Sequence, residues 1–351
     1  MRVSVKFALA ILCFWGIIAL LGLFAGKQDA LINRNFFTWS YQEQDIENVY
    51  TPPQFKSNTA HVAHYLGTDA VGRDVAAGIF HGAQITLAVA IFGFALTFVL
   101  GFLVGAIAGF TADKPAKVTY LASVISILVL LTIFWYSYIF YLFSNLDSLT
   151  LGVIITIKIL TGPCLALFNQ LLLRKGFKYY TFSIDYVLMR IVEIFQSVPL
   201  IMWLLGAAAV FSQITPLGLI ILVGLTSWMS LARLVRSEFY RLRTTAFVDA
   251  AKAVGASTPR IILKHILPNM LGTLVVATSY GVASVIGFEA LISYIGLGLP
   301  VEEVTWGTQL GGARQNFSAW WLAVFPGLAI FSVIFALNVL GNAVHRNKKR
   351  I

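Results

Sequence analysis

The chain has 351 residues, of which 58% are hydrophobic and only 11% are charged. This composition excludes an ordinary soluble globular domain and is typical of an integral membrane protein. The formal net charge of +10 would suit a nucleic-acid-binding protein, but such a protein gathers its basic residues on one soluble face, and the sequence contains no such face.

Apolar stretches of about 20 residues recur along the chain, which is the length that a helix needs to cross a hydrocarbon core roughly 30 Å thick. We therefore predict an all-α polytopic membrane protein that contacts lipid and has eight spans, namely residues 7–26, 82–110, 119–143, 151–172, 187–211, 217–236, 270–298 and 321–342. An even number of spans places both termini on the same side of the membrane.

The basic residues indicate which side that is. With the amino terminus in the cytoplasm, 19 of the 25 Lys and Arg residues fall on the cytoplasmic side of the predicted spans. An excess of basic residues in cytoplasmic loops is the rule for membrane proteins, so we expect both termini to be cytoplasmic in a bacterial inner membrane. Residues 344–351 form a basic cytoplasmic tail.

The amino-terminal stretch, residues 1–26, is predicted to be a membrane anchor. Its apolar run is longer than the core of a typical signal peptide, and no clear small-x-small cleavage site follows it. Residues 27–75 form the one long polar segment and are predicted to lie outside the membrane. Near its end, Asp69 or Asp74 can cap a helix that begins near Val75.

Residues 112–184 are predicted to be an inserted transmembrane hairpin. Two apolar runs joined by SNLDSLT lie between basic residues at both ends, so the chain returns to the side that it left. Lys158 lies inside one of these runs, where a charge costs about 2.5 to 3.5 kcal/mol at the membrane centre.

The segment 247–268, FVDAAKAVGASTPRIILKHILP, differs from the apolar spans on either side of it. Phe247, Ala250, Ala251 and Val254 follow helical spacing and form one small apolar stripe, while Asp249 and Lys252 lie off it. This stripe suits either a docking surface for another protein or an amphipathic helix that packs on the protein's own loops.

The same segment contains signals for a turn between two helices. Gly255 supplies the left-handed backbone that ends a helix at little cost. Ser257 or Thr258 can cap a second helix, with Pro259 in its first turn, and Pro268 is expected to mark a bend towards the membrane.

This segment resembles the EAA loop of ABC importer permeases, the element that couples a permease to its ATP-binding subunit. The matching positions are Asp249, Ala250, Ala251, Gly255, Leu267 and Pro268. His265 before the final Leu-Pro is similar to the oligopeptide, dipeptide and nickel importer branch. Four other stretches resemble the C-type permease of this branch. They are LGTDAVGRD (66–74), DYVLMRIVEIFQSVP (185–199), FEALISYIGLGLP (288–300) and TWGTQL with FPGLAI (305–330).

The resemblance implies a type I importer fold with six core spans in residues 76–343, interrupted by the inserted hairpin. It implies a transport subunit and not an enzyme, one that translocates peptides or similar small solutes such as nickel chelates or peptide antibiotics. It further implies two ABC ATP-binding subunits carrying ATP and Mg, a B-type permease subunit and an extracytoplasmic substrate-binding protein. The coupling residues it implies are Phe247, Asp249, Ala250, Ala251, Val254, Gly255, Ala256 and Pro268.

Polar residues within the spans are candidates for the translocation pathway or a gate, because burying them is costly unless they face a cavity or a partner. These are Glu193, Gln196, Ser197, Glu289 and Ser293, and helix-to-helix hydrogen bonding is the alternative role for them.

The residues by themselves are also compatible with two other functions. Lys158, Glu193 and Glu289 inside spans would also suit an ion-coupled secondary transporter that acts alone. A membrane enzyme would need a site, but the only histidine pair with close spacing, His61 and His64, is a weak metal motif, so we expect no metal or catalytic site.

Overall fold

The computed structural model describes residues 2–25, 44–54, 64–112, 115–119, 164–165, 167–175, 179–199, 201–203, 205–206, 214–296, 299 and 303–348. The chain divides into two compact units, one formed by Met1–Ala106 with Ile191–Ile351 and the other by Ile107–Arg190.

Long helices dominate the described residues. They are α1 (Arg2–Ala25), α2 (Val75–Thr111), α3 (Ile184–Ser197), α4 (Pro216–Arg243), α5 (Ala246–Ala253), α6 (Thr258–Ile261), α7 (Leu267–Ile295), α8 (Trp306–Gly312) and α9 (Trp321–Lys348). A π-turn, Ile262–Ile266, joins α6 to α7, and a 3-10 turn covers Ile46–Asn48.

Among the described residues, five helices are long and apolar enough to cross a membrane. They lie at α1, α2, α4, the continuous helix Thr258–Ile295 and α9, where five of the predicted spans were placed. The predicted spans 119–143 and 151–172 fall largely outside the described residues, and 187–211 is described only in part. The chain is therefore a multi-pass helical membrane protein, and the total of eight spans stays a prediction.

Two short strands, which the sequence did not predict, accompany the helices. Strand β1 (Pro115–Thr119) pairs antiparallel with β2 (Tyr179–Ser183), with Pro115 opposite Ser183 and Thr119 opposite Tyr179. Tyr, Thr, Phe and Val favour extended backbone, and two such segments pair when the chain brings them together. This ribbon lies in the second unit, at the ends of the predicted insert 112–184.

The core of the first unit is centred on Trp306, which is fully buried in the short helix α8. Its indole N–H donates to the carbonyl of Ile79 in α2 over 2.8 Å. The ring of Trp15 in α1 packs edge-on against it at 4.8 Å between centroids, and the Trp15 N–H donates to Ser332 Oγ in α9 over 3.0 Å. One short helix therefore fixes the packing of the long helices around it.

Helices α2 and α4 approach each other closely through small residues. Gly93, Thr97, Gly101 and Gly105 recur every four residues and place one face of α2 against α4. A methyl group at Gly101 would lie 2.8 Å from the carbonyl oxygen of Trp228. Small residues at this spacing let membrane helices pack backbone to backbone.

We expect Gly101→Ala to destabilise the protein, because the added methyl group overlaps the α4 backbone and overpacking costs about 1 to 3 kcal/mol. Gly16→Ala in α1 is the matched control, since no atom lies within 4 Å of the position its methyl group would take. Thermal unfolding of the purified protein in detergent should give a lower midpoint for Gly101→Ala only. Equal midpoints for the two variants would contradict this account of α2 and α4.

Candidate functional site

A helix-turn-helix follows α4 and consists of α5, residues 254–257 and α6. The turn is a Schellman motif, because the N–H of Ala256 donates to the Ala251 carbonyl over 3.0 Å and that of Gly255 to the Lys252 carbonyl over 2.9 Å. Gly255 has φ +81°, the left-handed conformation predicted from the sequence. Ser257 occupies the N-cap position of α6, although its side chain makes no capping hydrogen bond.

The predicted apolar stripe of α5 is partly exposed, with Ala251 half-buried. Val254 is 89% exposed and Phe247 is 38% exposed, and Ala250 is exposed as well. Val248, by contrast, is only 1% exposed and provides the inward contact of this helix. The position that a side chain at Gly255 would take is also open, with no atom within 4 Å. An apolar surface is thus presented outward, next to an unobstructed turn.

The charged residues of this segment lie on the surface. Asp249 Oδ1 and Lys252 Nζ form an ion pair of 2.9 Å in which both side chains are more than half exposed. Exposed pairs of this kind contribute about 0 to 1 kcal/mol. Asp249, the acidic residue at the position that resembles the EAA loop, therefore lies at the surface and is not part of the folded core.

The connection from α6 to α7 is helical, with a π-turn just before Pro268, where the sequence predicted a bend. Helical backbone continues from Thr258 to Ile295 through the π-turn, in which the Leu267 N–H donates to the Ile262 carbonyl. Pro268 has no N–H to donate and its ring would crowd the preceding turn, and a wider π-turn at that place relieves both problems. Asn269 Nδ2 adds a hydrogen bond of 2.7 Å to the His265 carbonyl.

The five predicted pathway residues lie in different surroundings. Glu289 and Ser293 are buried, and Glu289 accepts hydrogen bonds from Ser293 Oγ over 2.8 Å and from Thr86 Oγ1 over 3.1 Å. Thr86 Oγ1 in turn accepts from the main-chain N–H of Trp306 over 3.3 Å. Glu289 therefore joins α2, α7 and α8.

Glu193, Gln196 and Ser197 lie on α3 and are exposed in the single chain. Ser197 Oγ donates to the Ile194 carbonyl over 2.7 Å. Gln196, one of the five predicted pathway residues, lines a cavity.

This cavity, which we call the neutral cavity, has a volume of about 510 Å³ and lies between α2, α4, α7 and the segment 195–203. Its walls combine aromatic rings with hydroxyl groups, from Phe94, Thr97, Phe195, Gln196, Trp203, Thr226, Ser227, Ser230, Tyr280, Ser284 and Phe288. Sequence reasoning missed most of these residues, because hydroxyl and aromatic residues within a span give no signal that separates a cavity wall from ordinary helix packing.

The segments 44–54 and 64–74 pack together at the start of α2. His64 is 4% exposed, its Nδ1 lies 2.8 Å from Asp74 Oδ2, and its Nε2 lies 3.4 Å from Asp45 Oδ2. Asp74 Oδ1 also accepts the Ala77 N–H over 2.9 Å, so Asp74 is the residue that caps α2. The indole N–H of Trp321 donates to the Thr68 carbonyl over 3.0 Å and connects this region to α9.

Electrostatics favour a charged His64 in this position. Burial disfavours the charged ring, but the hydrogen bonds and negative charges of Asp74 and Asp45 outweigh burial and raise the pKa of His64 above its usual 6.5. Burial would likewise raise the pKa of Asp45, but hydrogen bonds from Asn48 and His64 lower it. The imidazolium therefore bridges two carboxylates.

The geometry defines a class of protein: a multi-pass helical membrane protein with an exposed helix-turn-helix between two spans and an internal cavity. The family of binding-protein-dependent transport system inner membrane components matches residues 171–350. The chain belongs to this family and is a permease component of an ABC transport system.

Individual relatives carry similar names. The oligopeptide transport system permease protein OppC of Haemophilus influenzae is 27% identical over 310 residues, which is 88% of this chain and 76% of that protein. OppC of Salmonella typhimurium is 35% identical over 163 residues, which is 46% of this chain and 54% of the relative. Superposition on a solved structure of the inward-facing MetNI methionine ABC transporter covers 76% of this chain and 94% of the MetNI chain. The two are 18% identical, with a TM-score of 0.45.

We expect the region around His64 to be more stable just below pH 6.5 than at high pH. At strongly acidic pH the contribution of Asp45, whose pKa is lowered on folding, is lost in turn. The pKa of His64 is raised on folding, so its contribution is complete below the unfolded value of 6.5 and is lost as the pH rises through the folded value. Hydrogen exchange of the membrane-embedded protein, corrected for the intrinsic pH effect, should show faster opening above that value. The amides of Asp45 and Gln54, which donate to the Gly72 and His64 carbonyls, report on this region.

His64→Gln removes the titrating group at similar size and is the matched variant. Its exchange should lose this pH dependence, while amides in α4 stay unchanged in both proteins. A pH dependence in His64→Gln equal to that of the wild type would rule out His64 as its source.

Proposed function

We propose that this chain is the C-type permease subunit of an ATP-driven importer of peptides. The relatives named above are called oligopeptide permeases, and the H. influenzae protein aligns over most of both chains. In this proposal the chain works with a B-type permease, two ATP-binding subunits and an extracytoplasmic binding protein. ATP and Mg bind to the ATP-binding subunits, because the sequence contains no GxxxxGK[ST] phosphate loop.

The proposal depends on the exposed apolar stripe of α5. A helix that served only to cover the protein's own loops would turn its apolar face inward, yet Val254 and Phe247 point outward while Val248 provides the inward contact. An exposed apolar face with flanking charges is suited to a cleft in another protein. Phe247, Ala250, Ala251 and Val254 supply the apolar contact, Asp249 lies at its edge, and Gly255 and Ala256 let the partner approach the turn.

Motion of this segment can reach the membrane through two connections. Helical backbone is continuous from Thr258 to Ile295, past Pro268. A displacement of α6 is therefore transmitted directly to α7. On the other side, α5 follows α4 after two residues, and Thr273 Oγ1 of α7 lies 3.5 Å from Glu238 Oε1 of α4. Nucleotide-driven closure of the ATP-binding subunits would move α4 and α7 together and alternate access to the pathway.

The orientation in this proposal follows from the basic residues. The helix-turn-helix carries Lys252 and Arg260, and Lys264 follows in the π-turn. This segment must face the cytoplasm to meet an ATP-binding subunit. The termini are then cytoplasmic, and residues 27–75 face the binding protein. The membrane is the bacterial inner membrane.

We expect Gly255→Val to reduce ATP-driven uptake at least about tenfold, because a left-handed backbone costs a β-branched residue 1 to 2 kcal/mol or more and the turn would distort where the partner docks. Gly296→Val is the matched control. Gly296 has φ +82° with open space around it, so the strain is the same but lies at the opposite end of α7.

Uptake and co-purification of the ATP-binding subunits should be measured for both variants in membranes that contain equal amounts of the chain. Loss of both in Gly255→Val with retention in Gly296→Val supports the coupling role. Normal uptake by Gly255→Val would contradict it.

Reconstitution tests the function as a whole. Proteoliposomes with the complete complex and binding protein should accumulate a tripeptide such as Ala-Phe-Ala when ATP is supplied to the side that carries the ATP-binding subunits, and not without ATP. Uptake by the purified chain alone under a proton or sodium gradient would instead establish the ion-coupled transporter.

A further inference from the structure

The neutral cavity has a chemistry that suits a particular part of a peptide. Among the described residues, no Asp, Glu, Lys, Arg or His side chain lines it. A wall without ionised groups offers nothing to replace the hydration of a charged amino or carboxylate terminus. The uncharged interior of a peptide is therefore the part that this wall can accept.

Three serine side chains of this wall have hydroxyl groups that pair with nothing in the described part of the chain. A hydroxyl group in a helix commonly donates to the main-chain carbonyl three or four residues earlier, as those of Ser237 and Ser279 do. Ser227 and Ser230 of α4 and Ser284 of α7 line the cavity and make no such hydrogen bond. None of the three is buried, so their hydroxyl groups are free to pair with a molecule in the cavity.

Gln196 adds a polar side chain from a third helix, α3. It is exposed, it lines the cavity, and its carboxamide also makes no hydrogen bond within the described residues. A carboxamide offers both a carbonyl oxygen and an NH₂ group, and a hydroxyl group likewise both accepts and donates. The four side chains together can therefore pair with the N–H and the C=O groups of a peptide backbone.

Aromatic rings form much of the remaining wall. The rings of Phe195 and Trp203 stack at 5.6 Å between centroids with 9° between their planes. Phe94 and Phe288 also line the cavity. Such rings cover apolar side chains without offering hydrogen bonds, and packed rings lose little freedom when a ligand arrives. The polar groups of the wall are thus set among surfaces that suit the side chains of a peptide.

We propose that the neutral cavity is a contact site for the main-chain amides of the peptide in transit. Gln196 pairs with one amide, and the hydroxyl groups of Ser227, Ser230 and Ser284 pair with the polar groups next to it. A peptide that leaves water needs these partners, because an amide group that is buried and unpaired is unfavourable. The inference rests on the proposed function, and it adds recognition of the peptide backbone within the membrane.

The test uses the complete complex in proteoliposomes with binding protein loaded beforehand, so that differences arise after capture. The peptides are Ala-Phe-Ala and its analogue methylated on both amide nitrogens, which cannot donate from the backbone amides. Wild-type complex should transfer the methylated analogue about fivefold more slowly in a single turnover, as expected for one lost hydrogen bond.

Gln196→Met keeps the size of the side chain and removes its carboxamide. It should slow Ala-Phe-Ala about fivefold and should bring the rates of the two peptides closer together, because the lost partner is the same in both changes. The ratio of the two rates is compared between proteins, so any effect of methylation on release from the binding protein cancels. A wild-type ratio in Gln196→Met would overturn the proposal.

Ser230→Ala and Ser237→Ala form a matched pair on α4. Ser237 is exposed, lies outside the cavity, and already donates to the Leu234 carbonyl over 2.8 Å. Ser230→Ala should slow Ala-Phe-Ala about threefold, and Ser237→Ala should leave its rate unchanged. Equal rates in the two variants would contradict the assignment of Ser230. If the wild-type complex does not transfer Ala-Phe-Ala with ATP, the proposed function fails, and this inference fails with it.

A photoreactive peptide gives a second measurement that needs no variant. Ala-Bpa-Ala, with p-benzoylphenylalanine as the central residue, should label the cavity-lining residues of α3, α4 or α7 in wild-type complex during ATP turnover. Labelling of this chain only at other positions would overturn the proposal, even where a Gln196 variant folds poorly.

Discussion

Lipid hydrocarbon solvates an apolar side chain about as well as another helix does, so these helices need contacts other than hydrophobic burial to hold together. The chain provides two kinds. Glycines at four-residue spacing bring α2 against the backbone of α4. Hydrogen bonds between distant helices do the rest, with Trp306 bonded to α2 and Glu289 bonded to Thr86 and Ser293. Both kinds require defined geometry. They therefore fix the positions of α4 and α7, the two helices between which the helix-turn-helix lies.

What the sequence predicted well was local. Long apolar runs located five helices, Asp74 capped α2, and Gly255 took the left-handed conformation, because each signal depends on neighbouring residues alone. What it missed depends on residues far apart. Glu289 meets Thr86 across 203 positions, and β1 pairs with β2 across a long insert, and no spacing rule connects such residues. At Pro268 nothing in the sequence indicated the π-turn, which accommodates the proline without ending the helix.

The helix-turn-helix combines an ordered backbone with an exposed apolar surface. Its backbone is complete, since the Schellman hydrogen bonds satisfy the end of α5 and Val248 anchors it inward. Part of its apolar stripe is nevertheless exposed, most of all Val254 at 89%. An ordered backbone of this kind loses little conformational entropy on binding, which is the property that the proposed docking role requires.

The β-ribbon explains how a permease can carry extra chain between two of its helices. Ser183 Oγ lies 3.5 Å from the Ala112 carbonyl, and the antiparallel register places Pro115 opposite Ser183, so the chain departs and returns at neighbouring points. An insert whose ends are already adjacent imposes little strain on the end of α2 or the start of α3, and the entropy of closing it grows only slowly with length. If the insert crosses the membrane twice, as its two apolar runs predict, the sidedness of everything after it is also preserved. The helix-turn-helix then stays on the same side of the membrane with or without the insert.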